Sequence, residues 1–158
     1  MALTDSELLR RLAEDESDLV ERKESAVDKD KICEAVCAFA NDLPGYGKPG
    51  VIFVGVDDRG RPTGLAVTDT LLQALGAIRS DGNILPPPTM VVRKIRAGAA
   101  DIAAVEVQPS SSPPVRYRGR VWIRVGPRRA VATVDEERRL NEKRRWVRLS
   151  WSDGSSWA

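Results

Sequence analysis

The chain has no histidine. Imidazole is therefore missing as a base, a proton shuttle or a metal ligand, which excludes hydrolysis by Ser-His-Asp or Cys-His groups and zinc held by histidine. Cysteine is scarce as well. The two present, Cys33 and Cys37, are spaced for one helical face rather than for a disulfide framework; they read as small core residues in a reducing compartment. No apolar run is long enough to span a bilayer, and the N-terminus lacks a basic segment leading into an apolar one. A cytoplasmic protein without membrane contact is expected. The glycine-rich loop from Asp42 to Gly50 lacks the Gly-Lys-Ser/Thr ending of a phosphate loop, since Pro49 follows Gly47-Lys48, so a Walker-type nucleotide site is not expected.

What remains suffices for one domain. A chain of 158 residues can bury a real core, and 42% hydrophobic with 30% charged residues reads as soluble and globular. The net charge of +2 conceals an asymmetry: residues 1–115 carry 13 Lys+Arg against 18 Asp+Glu, and residues 116–158 carry 12 against 5. An acidic front and a basic back point to a polyanion touching the second part.

Hydrophobic spacing and capping residues give the elements. Thr4-Asp5-Ser6-Glu7 has capping-box spacing ahead of Leu8, Leu9 and Leu12, which predicts a first helix ending near Glu14. Leu19 to Lys23 is brief and contains Val20, and reads as an edge or entry strand. Ile32, Val36, Phe39 and Ala40 follow the i, i+4, i+7, i+8 pattern of an amphipathic helix over Lys29 to Asn41. Val51 to Val56, stopped by Asp57-Asp58-Arg59-Gly60, is the clearest central strand. Thr68 or Asp69 caps a helix carrying Leu71, Leu72, Leu75 and Ile78, and Pro86-Pro87-Pro88 is an extended connector. Met90 to Arg96 and Ile102 to Gln108 form two strands about an Ala97 to Ala100 turn. Thr133-Val134-Asp135-Glu136 opens a charged helix through about Arg145, and the tail 146–158 is expected to be disordered.

A further hairpin is expected from Val115 to Val125, turning at Arg118-Gly119-Arg120. Pairing Tyr117 with Val121 and Val115 with Ile123 puts those apolar side chains on one face. Arg116, Trp122 and Arg124 then share the other, and Arg128 and Arg129 extend its charge. A basic strip with an aromatic between guanidinium groups suits phosphate contacts and base stacking, so Arg116, Arg118, Arg120, Trp122, Arg124, Arg128 and Arg129 are the candidate nucleic-acid ligands. A solvated face with arginines kept for solubility is the competing reading.

Acidic residues gather at two other places, Glu16 and Glu21 within Glu16-Ser17-Asp18-Leu19-Val20-Glu21-Arg22-Lys23, and Asp57-Asp58 after the central strand. Carboxylates from separate segments are how a histidine-free protein can hold a hard divalent cation. Residues five apart point to opposite faces of a regular strand, so Glu16 and Glu21 converge only if Glu16 sits in a turn or bulge before it. The alternative is that these acids anchor Lys23 and nearby arginines in surface ion pairs.

The order of these motifs, Glu16 with Glu21-Arg22-Lys23, then Ala38-Phe39-Ala40-Asn41, then Phe53-Val54-Gly55-Val56-Asp57-Asp58-Arg59-Gly60, then Tyr117 to Gly126, resembles the Schlafen-type AlbA-like domain. The resemblance covers about Glu16 to Arg145 and implies an α+β fold, a single mixed domain with a central β-sheet flanked by helices, preceded by the helix in residues 1–15. It implies a domain that binds DNA or RNA, found in bacterial regulators and in animal Schlafen proteins, some of which cut transfer and ribosomal RNA. In the nuclease members a three-carboxylate site has been assigned, and Glu16, Glu21 and Asp57 or Asp58 match it.

If that site is catalytic here, Glu16, Glu21 and one of the two aspartates would hold Mg²⁺ or Mn²⁺, with Lys23 stabilising charge on the phosphate. Animal Schlafen cores have two lobes and this chain one, so a homodimer is the expected way to supply a second. Three functions follow: a nucleic-acid-binding regulatory domain, a metal-dependent endoribonuclease acting on structured RNA such as transfer RNA, or a protein-interaction module.

Overall fold

The computed structural model describes residues 2–14 and 17–155, with side chains as far as Arg144. Thr4 closes the capping box read from the sequence: its hydroxyl accepts from Glu7 N at 3.2 Å and Glu7 Oε1 accepts from Thr4 N at 3.3 Å, which starts α1 (Asp5–Ala13). A tight turn in which Ser17 N donates to Val20 O leads into β1 (Val20–Lys23). Asp28 then caps α2 (Lys29–Asn41), and Asp42 ends it in the left-handed region at φ 43°. The chain returns as β2 (Gly50–Val54), parallel to β1, with Glu21 beside Ile52 and Lys23 beside Val54.

Thr68 caps α3 (Asp69–Gly76), which tightens into a 3-10 turn over Ala77–Arg79. β3 (Ile84–Leu85) precedes the long hairpin of β4 (Met90–Ala97) and β5 (Ala100–Val107), the two strands expected, joined at a tighter turn, Gly98-Ala99, because Ala97 and Ala100 pair within the ladder. The main sheet has the order β1-β2-β5-β4, so β1 is an edge strand. Alternation along β2 divides the core. Ile52 and Val54 join Ile32, Val36, Phe39, Val105 and others on the α2 side, while Val51 and Phe53 pack with Leu8 and Leu12 of α1.

The expected Val115 to Val125 hairpin forms differently. Tyr117 N donates to Arg120 O at 2.8 Å across a two-residue turn, with Arg118 at φ 48° and Gly119 at φ 82°. β6 (Arg116–Tyr117) pairs with β3, and β7 (Trp122–Val125) pairs instead with β8 (Arg128–Val131) around Gly126-Pro127. A two-residue turn already has the hand of a twisted strand pair, and Gly126 at φ 61° supplies a second one.

The second capping box also forms: Glu136 N donates to Thr133 Oγ1 at 3.2 Å, and α4 (Val134–Ser155) docks on β7 through Leu140, packed on Val121 and Ile123. The helix continues past Arg145 to Ser155, where a disordered tail was expected, because residues 134–153 contain neither glycine nor proline to stop it; residues 156–158 lie outside the described residues. Among the described residues no helix is long and apolar enough to cross a membrane.

Candidate functional site

Strand alternation decides what β1 offers. Glu21 and Lys23 point to the α2 side and Arg22 to the α1 side. Arg22 donates to Leu12 O at 2.7 Å, to Asp58 O at 2.9 Å and to Glu14 O, so one guanidinium ties the end of α1 to the loop after β2. Sequence reasoning passed over it. Its signal was its place between two site candidates on a strand, where alternation sends it the other way.

Glu21 is 4% exposed and is met by three cations: Arg124 Nη1 at 2.5 Å, Arg129 Nε at 3.2 Å and Lys23 Nζ at 3.3 Å. Arg124 is itself 3% exposed, donates further to the carbonyls of Ser17 at 2.7 Å, Val20 at 3.1 Å and Pro127 at 3.3 Å, and lies 4.7 Å over the Phe39 ring. It is therefore not on a solvent-facing strip. Val115, Tyr117, Val121 and Ile123 are all buried, but not on the one face expected: Val115 and Tyr117 pack with the α2 cluster, and Val121 and Ile123 pack with Leu140 of α4. The opposite face fails as an open one because β7 is sandwiched between α4 on one side and α2 on the other, so Trp122 is half-buried and Arg124 fully so.

The other arginines are laid on or near α2. Asp30 and Glu34, one helical turn apart and so on one face, were not singled out from the sequence, although i, i+4 acids on a polar helix face are a legible signal. Asp30 pairs with Arg118 at 3.4 Å and accepts from the Tyr117 hydroxyl at 2.5 Å. Glu34 pairs with Arg129 at 2.8 Å, and burial raises its carboxyl above the ordinary value against the pull of that guanidinium. Arg116 pairs with Glu137 of α4 at 3.2 Å. Arg120 and Arg128 are exposed and have no ion pair among the described residues.

These groups surround one open cavity of about 440 Å³. Glu21, Lys23, Glu34 and Arg129 line it with the half-buried Trp122, and exposed Asp58 and Arg128 lie at its edge. Glu21 Oε2 is buried and has Lys23 Nζ as its ion-pair partner at 3.3 Å. Of the two candidate aspartates, Asp58 lines this cavity and Asp57 does not. Asp57 instead closes its own loop, accepting from Arg59 N and Arg61 N at 2.9 Å and Arg61 Nε at 3.1 Å, which holds its carboxyl below the ordinary value. Glu16 lies outside the described residues. Among the described residues no three acids form a metal-ligating group. Glu21 and Asp58, with Lys23 and Arg129 against the first of them, do not by themselves fit a divalent cation, and no chemical step is derived through one.

The sequence matches the Schlafen, AlbA_2 family over residues 16–133. The chain belongs to that family. This AlbA_2 chain is also similar in structure to the N-terminal domain of a Nitrosomonas europaea protein related to the ATP-dependent DNA helicase RecG, at 28% identity and a TM-score of 0.54, over 68% of this chain and 74% of that one. It shares its fold with the DIP2311 protein of Corynebacterium diphtheriae at 20% identity and a TM-score of 0.52, over 81% of this chain and 29% of that one. Among curated proteins none matches the AlbA_2 chain significantly. The mixed α+β architecture expected from the motif order is the one observed.

Proposed function

We propose that this AlbA_2 domain binds nucleic acid through the face made by the Arg118-Gly119-Arg120 turn, the β7–β8 hairpin and the first turns of α2. The observation that carries this is that Arg120 and Arg128 are exposed with no ion pair among the described residues, while exposed Arg118 and Arg116 hold only the side-chain carboxylates of Asp30 and Glu137. Exposed guanidinium groups are the phosphate ligands of choice, and an exposed carboxylate partner costs little to exchange for a phosphate. The family, and a structural relative related to a DNA helicase, support the same reading. Arg124, locked inside, shapes this face without touching the ligand.

Metal-dependent cleavage of structured RNA is the second reading, favoured by Glu21 and Asp58 lining one cavity beside Lys23. Incubation of the protein with transfer RNA and with single- and double-stranded DNA, with Mn²⁺ or with chelator, separates the two. Retention of intact nucleic acid in every lane supports binding alone; fragments that need Mn²⁺ and vanish in Glu21→Gln would establish cleavage. No retention of any nucleic acid at low salt would overturn both readings and leave a protein-interaction module. A homodimer would present the basic face twice, and light scattering with and without RNA tests it: a monomer in both conditions makes the single domain the binding unit.

A further inference from the structure

Half of the cations after residue 115 lie on α4, outside the face described above: Arg138, Arg139, Lys143, Arg144, Arg145 and Arg148, six of 12. The family match ends at residue 133, so the whole of α4 lies beyond it. Its acids crowd its first turn as Asp135, Glu136 and Glu137, and between Arg138 and Arg148 the six cations stand against one acid, Glu142. Complementing the helix dipole would put the cations in the last turn, which has none. Two contacts fix how α4 is turned. Leu140 is buried on Val121 and Ile123, and Glu137 holds Arg116 at 3.2 Å, while on the other flank Lys143 donates to the carbonyls of Asn41 and Asp42. Positions 141, 144 and 148 stand four, seven and eleven residues after Glu137 and so share its stripe of the helix. Asn141 and Arg144 are exposed there, and Arg144 has no ion pair among the described residues. Arg139 is exposed and equally without an ion pair among the described residues, but it comes two residues after Glu137, roughly 200° round the helix and away from the stripe.

We propose that α4 is a second arm of the nucleic-acid interface, with the phosphate backbone passing from the Arg118-Gly119-Arg120 turn over Arg116 and on along the stripe that carries Arg144 and Arg148. From position 137 to position 148 the stripe runs about 16 Å at 1.5 Å per residue. Phosphates recur about every 3.4 Å along one strand of a duplex, so the stripe spans about five of them. A row of guanidinium groups at successive helical turns suits an anion of repeating charge, where a lone phosphate would need only one. Glu137 can release Arg116 to such a backbone at little cost, since both side chains are a third or more exposed. The inference rests on the nucleic-acid-binding reading and adds to it the direction in which the bound strand runs.

Fluorescence anisotropy with a labelled single-stranded RNA across a salt series tests this, for the wild type, Arg144→Ala, the double variant Arg144→Ala/Arg148→Ala and Arg139→Ala, with folding checked by circular dichroism. Arg144→Ala and Arg139→Ala each remove one exposed positive charge from the same helix and differ only in the side of it they occupy. The slope of log K against log salt should become shallower by about 0.7 in Arg144→Ala and by about 1.4 in the double variant, and should stay at the wild-type value in Arg139→Ala. Equal slope changes in Arg139→Ala and Arg144→Ala, or no change in the double variant, with wild-type binding that still falls steeply with salt, would overturn the α4 arm and leave the binding reading standing. Failure of the wild type to bind RNA at low salt would overturn both.

Discussion

Arg124 and Glu21 are each almost fully withdrawn from water, and neither can lose its partner cheaply. Arg124→Ala leaves the Glu21 carboxylate buried with less compensation and strips three carbonyls of a donor; chemical denaturation should show a loss of about 3–5 kcal/mol. The two thiols give a second prediction at this scale. Burial pushes Cys33 up to about 11 and Cys37 up to about 12, and Cys37 Sγ donates to Val115 O at 3.2 Å, which requires the protonated form. Both folded-state values lie above the ordinary 9.0, so the contribution to stability is complete below about pH 9 and is lost as pH rises toward 12. Neither thiol should alkylate at pH 8 in the native protein and both should alkylate once it is unfolded. Side-chain placement was the least legible level of the sequence. Alternation correctly marked Val115, Tyr117, Val121 and Ile123 as buried but not as two pairs, Val115 and Tyr117 against α2 and Val121 and Ile123 against Leu140 of α4, because the packing partners lie far along the chain, and α2 covers Arg124.

At the scale of elements, α2 is held to the β7 segment by Asn41, which is 1% exposed. Its Nδ2 donates to Val115 O at 3.0 Å and Trp122 O at 2.7 Å, and its Oδ1 accepts from Val115 N at 2.6 Å. Asn41→Ala would take the side-chain partner from Val115 N and Trp122 O and leave Val115 O with the Cys37 thiol alone; it should cost about 1–3 kcal/mol for each group left without water, with β7 the first segment to lose protection in hydrogen exchange. The motif Ala38-Phe39-Ala40-Asn41 was visible in the sequence; its work as a backbone clamp was not, since the partners stand 74 and 81 residues away. Gly50 begins β2 under the Phe39 ring, where an added Cβ would lie 2.2 Å from Cδ1. Gly50→Ala should therefore destabilise by about 1–3 kcal/mol through overpacking, read in the same denaturation experiment. Helices capped by Thr4, Thr68 and Thr133 were legible because their signals are local. The shift of the hairpin from 115–125 to 122–131 was not, since two-residue turns compete at Arg118-Gly119 and at Gly126-Pro127, and tertiary packing selects both.

Across the whole molecule, the surplus of positive charge after residue 115 becomes a face only because the β7–β8 hairpin folds back on α2, whose acids hold Arg118 and Arg129 in place and leave Arg120 and Arg128 exposed. That arrangement predicts binding dominated by phosphate contacts. The most direct test is the affinity for a labelled single-stranded RNA measured across a salt series, for the wild type and for a variant with Arg118, Arg120 and Arg128 changed to alanine. The wild-type log K should fall linearly with log salt, and the variant should bind more weakly with a slope shallower by about two, from roughly 0.7 per phosphate contact removed. A wild-type affinity that does not change with salt, or a variant with the same slope as the wild type, would contradict the account.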